Sequence, residues 1–415
     1  MELTDEERTI LEGAWGPFPA QLMKWMVTFG GAMSARRMVP VDNVLASGIS
    51  APANWSASAR EREQTQRQVD ELLAQRMQVY TTTHVSRVDL ERPERRGHPE
   101  EIVDYQCELI ARSRQAGIVP TWTCAPYLVG NTPLMGEICA WTESSAVVYA
   151  NTFLGARTNR NGSESAFAAA VLGRVPEYGL LLDDGRTGDF VVEVRTPLET
   201  PADWGALGYF AGEVAGLRAP VFTGVARPTQ EGAKQLSAAL ATSGGVSMAH
   251  LVGVTPEAST LEAAFGGSRP SDPPVVFGDH EREQTYKSLR DLPTGSDIDY
   301  VVLGCPHASL RELFEVAAAI GDRRFAEGVT FIVNASYPIY AAAKRLGYVE
   351  VVERAGGEFV VDSCPSVLRW KGGERLITNS FKQAHYQRGL FDLQAAVGVD
   401  ATDCVEAAVS GRWHG

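Results

Sequence analysis

Cys124, Cys305 and Cys364 each stand just past a run that reads as a β-strand, and each is followed at once or one residue later by a proline. In open α/β sheets, sites form outside the carboxyl ends of strands, so three thiols placed there can converge although the sequence keeps them far apart. A soft set of three sulfurs suits zinc or an iron–sulfur cluster. Three unrelated buried thiols are the plainer alternative. There is no CxxC pair, and spacing alone does not choose between them.

The stretch from Thr121 to Arg160 carries most of the remaining polar chemistry. The pattern predicts a strand over Ile118 to Cys124, a loop rich in Gly and Pro, and a helix from Glu143 that ends near Gly155. Arg157, Thr158, Asn159 and Arg160 then stand together beside Asn151. A planar guanidinium suits a carboxylate, which makes Arg157 a candidate substrate anchor; the competing reading pairs Arg157 and Arg160 with Glu143 or Glu164. Ser144 and Ser145 read as substrate donors or as helix caps. His84, delivered by a strand over Val79 to Thr83, and His307 are weaker candidates, because a lone histidine at a strand end is more often structural.

The remaining cysteines divide differently. Val103, Cys107 and Ile110 share one face of a helix predicted over Pro99 to Ala116, so Cys107 is expected in the core. Cys404 falls in a C-terminal helix over Thr402 to Val409, in the core or on the helix surface. Cys139 follows the Gly-rich loop and is left open as a neighbour of the site.

Strands and helices must position these groups. Leu22, Trp25, Met26 and Phe29 recur at helical spacing and predict one buried face. Ser58 to Gln75 reads as a charged, solvent-facing helix, and the basic run Arg92 to Gly97 as a solvated loop. The last third alternates strand and helix, which argues for a parallel sheet covered by helices. The run 266–272 is expected to link a first lobe, 1–265, to a second, 273–415. No internal repeat is evident in the sequence.

Composition narrows the function. The chain has 415 residues, 44% hydrophobic and 21% charged, with a formal net charge of −13. No Lys/Arg stripe appears, which argues against nucleic acid or an anionic membrane as partner. The acidic start, MELTDEERTI, is unlike a secretory signal, and no apolar run reaches the about 18 residues of a membrane span. Six scattered cysteines suit reduced thiols and a cytoplasmic protein.

Several motifs recur in order: TCAPY at 123–127, WTESSAV at 141–147, ANTFLGARTNR at 150–160, PEYG at 176–179, GVTPEA at 253–258, GCPHAS at 304–309, DSCP at 362–365 and TNS at 378–380. Together they resemble the large subunit of the aconitase X family. The resemblance implies aconitase-like three-layer α/β/α lobes with mainly parallel sheets. It implies a hydro-lyase, with an iron–sulfur cluster of open nuclearity held by Cys124, Cys305 and Cys364. An open iron would polarise the leaving hydroxyl. A base must then take a proton from the neighbouring carbon, for which Glu143, Ser144, His84 and Lys382 are candidates. Ser144, Ser145, Asn151, Arg157, Thr158, Asn159 and Lys382 are the expected substrate-binding residues.

The expected substrate is a small hydroxy acid, with cis-3-hydroxy-L-proline slightly ahead of mevalonate 5-phosphate. A reading of another class is a non-catalytic metal-binding regulator. No swivelling domain of the aconitase kind is recognised in this chain, so the resemblance implies a small-subunit partner that supplies one. Two departures from the family pattern bear on the pocket: His84 stands where an Asn is expected, and the region from Val44 to Ile49 lacks a histidine.

Overall fold

The computed structural model describes residues 1–50, 66–67, 69–268, 272–365, 368 and 370–415. β1 (Met38–Pro40) is followed by β2 (Asn43–Ala46), β3 (Tyr80–Thr83), β4 (Ile118–Val119), β5 (Ile138–Trp141) and β6 (Arg157–Arg160). β2 to β6 form a five-stranded sheet in the order β4-β3-β2-β5-β6, with every pair parallel. β7 (Arg174–Pro176) pairs antiparallel with β1. β8 (Phe190–Val194), β9 (Pro220–Thr223), β10 (His250–Leu251) and β11 (Val275–Phe277) make a parallel sheet ordered β10-β9-β8-β11.

β12 (Tyr300–Leu303), β13 (Thr330–Ala335), β14 (Glu358–Val361), β15 (Arg375–Thr378) and β16 (Gln394–Val397) make the last sheet. Its order is β14-β13-β12-β15-β16, again all parallel. The fold is therefore α/β with mainly parallel sheets, as expected.

Parallel neighbours require a crossover, and the crossovers are largely helical. Side chains alternate across each strand. Val44 and Ala46 join a core with Met23 and Met26 on one face of the first sheet, while Leu45 joins Trp141, Ala146 and Val147 on the other. In the middle unit, the helices Pro201–Ala215 and Gln230–Ser243 pack at close range. A Cβ on Gly208 would lie 2.6 Å from the Leu236 carbonyl oxygen, so only glycine permits that approach.

The first and last sheets share one winding. In both, the strand order reverses beside the central strand: between β2 and β5, and between β12 and β15. Crevices open at such reversals, outside the carboxyl ends. The two sets of carboxyl ends meet: the Ser86 amide donates to the Asp362 carbonyl oxygen at 2.7 Å, and the His307 amide donates to Cys124 Sγ at 3.3 Å.

Several expectations change. The stretch 266–272 lies between β10 and β11 of one sheet, with 269–271 outside the described residues, so the chain does not leave the middle unit there. It leaves after the helix Asp279–Ser288. The strand expected over Ile118 to Cys124 stops at Val119, because Pro120 has no N–H for the ladder and Trp122 turns to φ 42°. The helix Glu100–Gln115 buries Ile102, Gln106, Leu109 and Ser113, which leaves Cys107 exposed; polar residues on the buried side disguised the face.

The helix Pro17–Ala32 likewise buries Met23 and Met26 and leaves Trp25 38% exposed. Half of the helix expected over 58–75 lies outside the described residues. Arg92 and Arg96 are not simply solvated: they reach Glu353 and Glu358 of the last unit. Among the described residues no helix is long and apolar enough to cross a membrane.

Candidate active site

Glu143 lies two residues past the carboxyl end of β5 and caps the helix Ser144–Tyr149 by accepting from the Ser145 amide at 3.2 Å. Lys382 is the second residue of the helix Phe381–Phe391, which starts three residues past β15. Each follows a strand at one of the two reversals, and they meet: Lys382 Nζ lies 2.7 Å from Glu143 Oε1. Ser145 closes a triangle, with its hydroxyl donating to Glu143 Oε1 at 2.8 Å and accepting from Lys382 Nζ at 2.7 Å. His84, just past β3, places Nε2 2.8 Å from Glu143 Oε2. Ser144 sits half-buried in the first turn of the same helix.

The charges in this cluster fix each other. Burial alone would raise the Glu143 carboxyl, but Lys382 and His84 outweigh it and hold the group well below the usual carboxylate range. Burial likewise opposes the Lys382 ammonium; Glu143, with the sulfurs of Cys305 and Cys124, outweighs it and raises the group above its ordinary value. The pair is therefore ionic across the neutral range. An ammonium has three donors, and Glu143 and Ser145 use two of them, which leaves one for an anionic ligand.

The three cysteines gather beside this pair. Cys124 follows β4 in the first sheet, Cys305 follows β12 and Cys364 follows β14 in the last. Cys124 lies within electrostatic reach of Cys305, and Cys305 of Cys364. Burial and then Glu143 push the Cys124 thiol far up; burial takes Cys305 to about 11, with Lys382 pulling the other way. Buried thiols of this kind ionise when a metal binds them. Gly304 lets the Cys305 loop pass close to β13: its φ is +83°, and a Cβ there would lie 2.2 Å from the Asn334 carbonyl oxygen.

Among the described residues no three Cys, His, Asp or Glu side chains are close enough to hold a single ion. A wider set of soft sulfurs, with an amide N–H on one of them, fits an iron–sulfur cluster, whose separate irons each take a thiolate.

The remaining candidate anchors are elsewhere. Arg157 begins β6, in register with Ile138 at the amino end of β5, whereas Glu143 follows the carboxyl end. Three residues of strand, roughly 10 Å, separate the two levels. Arg157 donates to the Leu181 carbonyl at 2.9 Å and pairs with Asp183, neither of the partners expected for it. Asn151, fully buried, donates to the carbonyls of Thr158 at 2.9 Å and Ser247 at 3.0 Å and accepts from the Thr158 amide and Arg186. Asn159 bridges the Tyr178 carbonyl and the Leu180 amide at 2.9 Å each. The Thr158 hydroxyl donates to the Asn159 carbonyl at 2.8 Å and accepts from the Trp141 amide.

Arg157, Thr158 and Asn159 thus hold the first unit together, and Asn151 ties it to the middle unit through Ser247 and Arg186. Cys139 also sits at the amino end, accepting from Asn43 at 3.3 Å, and does not approach the site. Cys404 is buried in the core of the last unit.

Two residues escaped sequence reasoning. Lys234, 1% exposed on the helix Gln230–Ser243, donates to the Pro306 carbonyl at 3.2 Å and the His307 carbonyl at 3.0 Å, and pairs with Glu312. Gln235 beside it reaches the Cys305 carbonyl at 3.5 Å. The middle unit thus holds the Cys305 loop in place. The pattern of that helix carries no sign of this, since a lysine among alanines reads as surface.

The chain matches three family models in succession: Aconitase X first domain over residues 1–184, second domain over 188–287 and third domain over 298–410. It is 36% identical over 394 residues to the phosphomevalonate dehydratase large subunit of Methanothermobacter thermautotrophicus, covering 94% of each chain. It is 32% identical over 426 residues to the cis-3-hydroxy-L-proline dehydratase of Hypocrea jecorina, covering 99% of this chain and 69% of that one. The crystal structure of Thermococcus kodakaraensis aconitase X in its holo-form is similar throughout, with a TM-score of 0.82 at 32% identity, covering 98% of this chain and 100% of that chain.

Proposed function

This chain belongs to the aconitase X family and is a dehydratase, and on that premise we propose that it is the large subunit of an iron–sulfur-dependent hydro-lyase acting on a small hydroxy acid. The observation that carries the reading is the Lys382–Glu143 ion pair set beside Cys124 and Cys305. Cys124, Cys305 and Cys364 would hold the cluster, which when bound supplies a Lewis acid for the leaving hydroxyl.

The chain's own residues do the rest. Lys382 directs its third N–H at the substrate carboxylate, and Ser145, whose one proton goes to Glu143, holds the ammonium in place. Glu143 fixes His84 through Nε2, which makes His84 the oriented proton acceptor in the manner of a base held by a carboxylate. Burial of Glu143 and Lys382 keeps water from weakening the pair. Arg157, Asn151, Thr158 and Asn159 shape the lobe and stay out of the chemistry.

A small subunit of the swivelling-domain type completes the cleft. The support is that relatives matching over nearly their whole length are named large subunits. That match in length also favours mevalonate 5-phosphate as a second substrate reading beside cis-3-hydroxy-L-proline. The non-catalytic reading is dropped, because the matched relatives are named dehydratases. The test is anaerobic coexpression with the small subunit, then dehydration assays on both compounds. Iron-loaded complex that dehydrates neither compound would remove both substrate readings.

A further inference from the structure

His307 touches all three cysteine loops at once. Its backbone amide donates to Cys124 Sγ at 3.3 Å. Its Nδ1 lies 3.2 Å from the Thr123 hydroxyl, which itself accepts from the Ala125 amide at 3.1 Å. Its Nε2 lies 2.6 Å from the Ser363 carbonyl oxygen, one residue before Cys364. The residue itself follows Cys305 by two positions, and Lys234 holds its carbonyl at 3.0 Å.

These partners fix the ring. A carbonyl only accepts, so Nε2 must carry the proton and Nδ1 must accept from the Thr123 hydroxyl. The imidazole is 1% exposed, and both ring nitrogens are satisfied without water. The ring thus bridges the loop after β4 to the loop after β14 across the loop after β12.

We propose that His307 is the positioning residue that locks the Thr123–Cys124, Cys305–His307 and Ser363–Cys364 segments into one register for the iron–sulfur cluster. The proposal rests on the cluster reading above. The ring acts as a fixed spacer: one edge sets the Cys124 loop, the other sets the Cys364 loop, and the amide places the Cys124 sulfur between them. Partners of this kind around metal ligands typically change metal affinity by roughly 10–100-fold when removed.

The test uses the full chain with its small subunit, reconstituted with ferrous iron and sulfide. Iron and sulfide per chain, the visible circular dichroism of the bound cluster and the rate of iron loss to a ferrous chelator are measured, together with thermal unfolding of the metal-free protein. In His307→Ala the amide contact to Cys124 survives but both ring contacts go. Iron should leave roughly tenfold faster or more, with an altered visible spectrum; the metal-free protein should unfold earlier by the cost of the vacated buried site yet stay folded under the assay conditions.

His307→Gln, which retains an N–H donor for Ser363, should recover part of the retention. Iron loss at the unaltered rate with an unchanged spectrum in both variants overturns the proposal. If the alanine protein does not fold, Thr123→Val decides: it removes the hydroxyl that meets Nδ1, and faster iron loss with unchanged metal-free unfolding supports the role, whereas unchanged iron loss overturns it. Failure of the unaltered protein to take up iron would instead count against the cluster reading.

Discussion

Lys382 Nζ lies 2.7 Å from Glu143 Oε1 although 239 residues separate the two in the chain. The contact joins the first and last sheets at their carboxyl ends and puts a fixed dipole beside the cysteines. Both side chains are nearly buried, at 13% and 10% exposure, so each depends on the other for its charge.

Removing one partner should therefore cost more than removing both. Lys382→Met or Glu143→Gln alone should destabilise the protein by about 3–5 kcal/mol, since each leaves a buried group uncompensated. The double variant should be more stable than the sum of the two losses implies. Denaturant unfolding of the three proteins measures this, and strict additivity would contradict a direct coupling. Turnover should collapse in all three.

The pair also sets a pH window. The Glu143 carboxyl is held below its ordinary 4.5 and the Lys382 ammonium above its ordinary 10.5. Stability from Glu143 is full above the first value and is lost as pH falls toward the folded one; stability from Lys382 is full below the second and is lost as pH rises toward the folded one. The stability difference between the unaltered protein and the double variant should be flat from pH 4.5 to 10.5 and shrink outside that range. A difference that already shrinks near neutral pH would show that another group controls the pair.

Cys124→Ser, Cys305→Ser and Cys364→Ser should each lose most bound iron and sulfide, whereas Cys107→Ser, Cys139→Ser and Cys404→Ser should keep it. Metal and sulfide analysis of anaerobically purified proteins reads this directly. Full iron in Cys305→Ser would sink the ligand assignment.

Arg157→Ala should leave kcat and KM within about twofold, the scale of a surface substitution away from the chemistry. Its partners are Asp183 and the Leu181 carbonyl at the far end of the sheet. A large rise in KM for the carboxylate substrate would return Arg157 to the site.

The large chain alone, shown by mass spectrometry to be free of a partner, should bind iron but turn over no substrate. Activity in that preparation would end the two-subunit reading and make His84 and Glu143 sufficient.

The three cysteines proposed as ligands stood out as a group because each comes after an apolar strand and is followed by a proline at once or one residue later, a local pattern that survives in one dimension. Glu143, Ser145, His84 and Lys382 were legible as residue types with motifs around them. Their triangle was not, because it forms across 239 residues. Arg157 misled because its neighbours in sequence share its polarity, while register decides which end of the sheet it occupies. Lys234 gave no signal at all: its partners are backbone carbonyls, which no sequence displays. Helix faces failed where polar residues were buried, as with Gln106 and Ser113.

The shared winding of the first and last sheets has one more meaning. Glu143 caps its helix two residues after β5, and Ser380 caps the equivalent helix two residues after β15; Ser145 and Lys382 then occupy matching second positions. Cys124 and Cys364 likewise follow corresponding outer strands. The cleft is thus built like the interface of a two-fold dimer, but within one polypeptide. A true homodimer must make each contact twice, residue i to j and j to i, so one carboxylate–ammonium pair would always come with its duplicate. Two unlike copies of one scaffold escape that constraint, and a carboxylate from one half is free to meet an ammonium from the other.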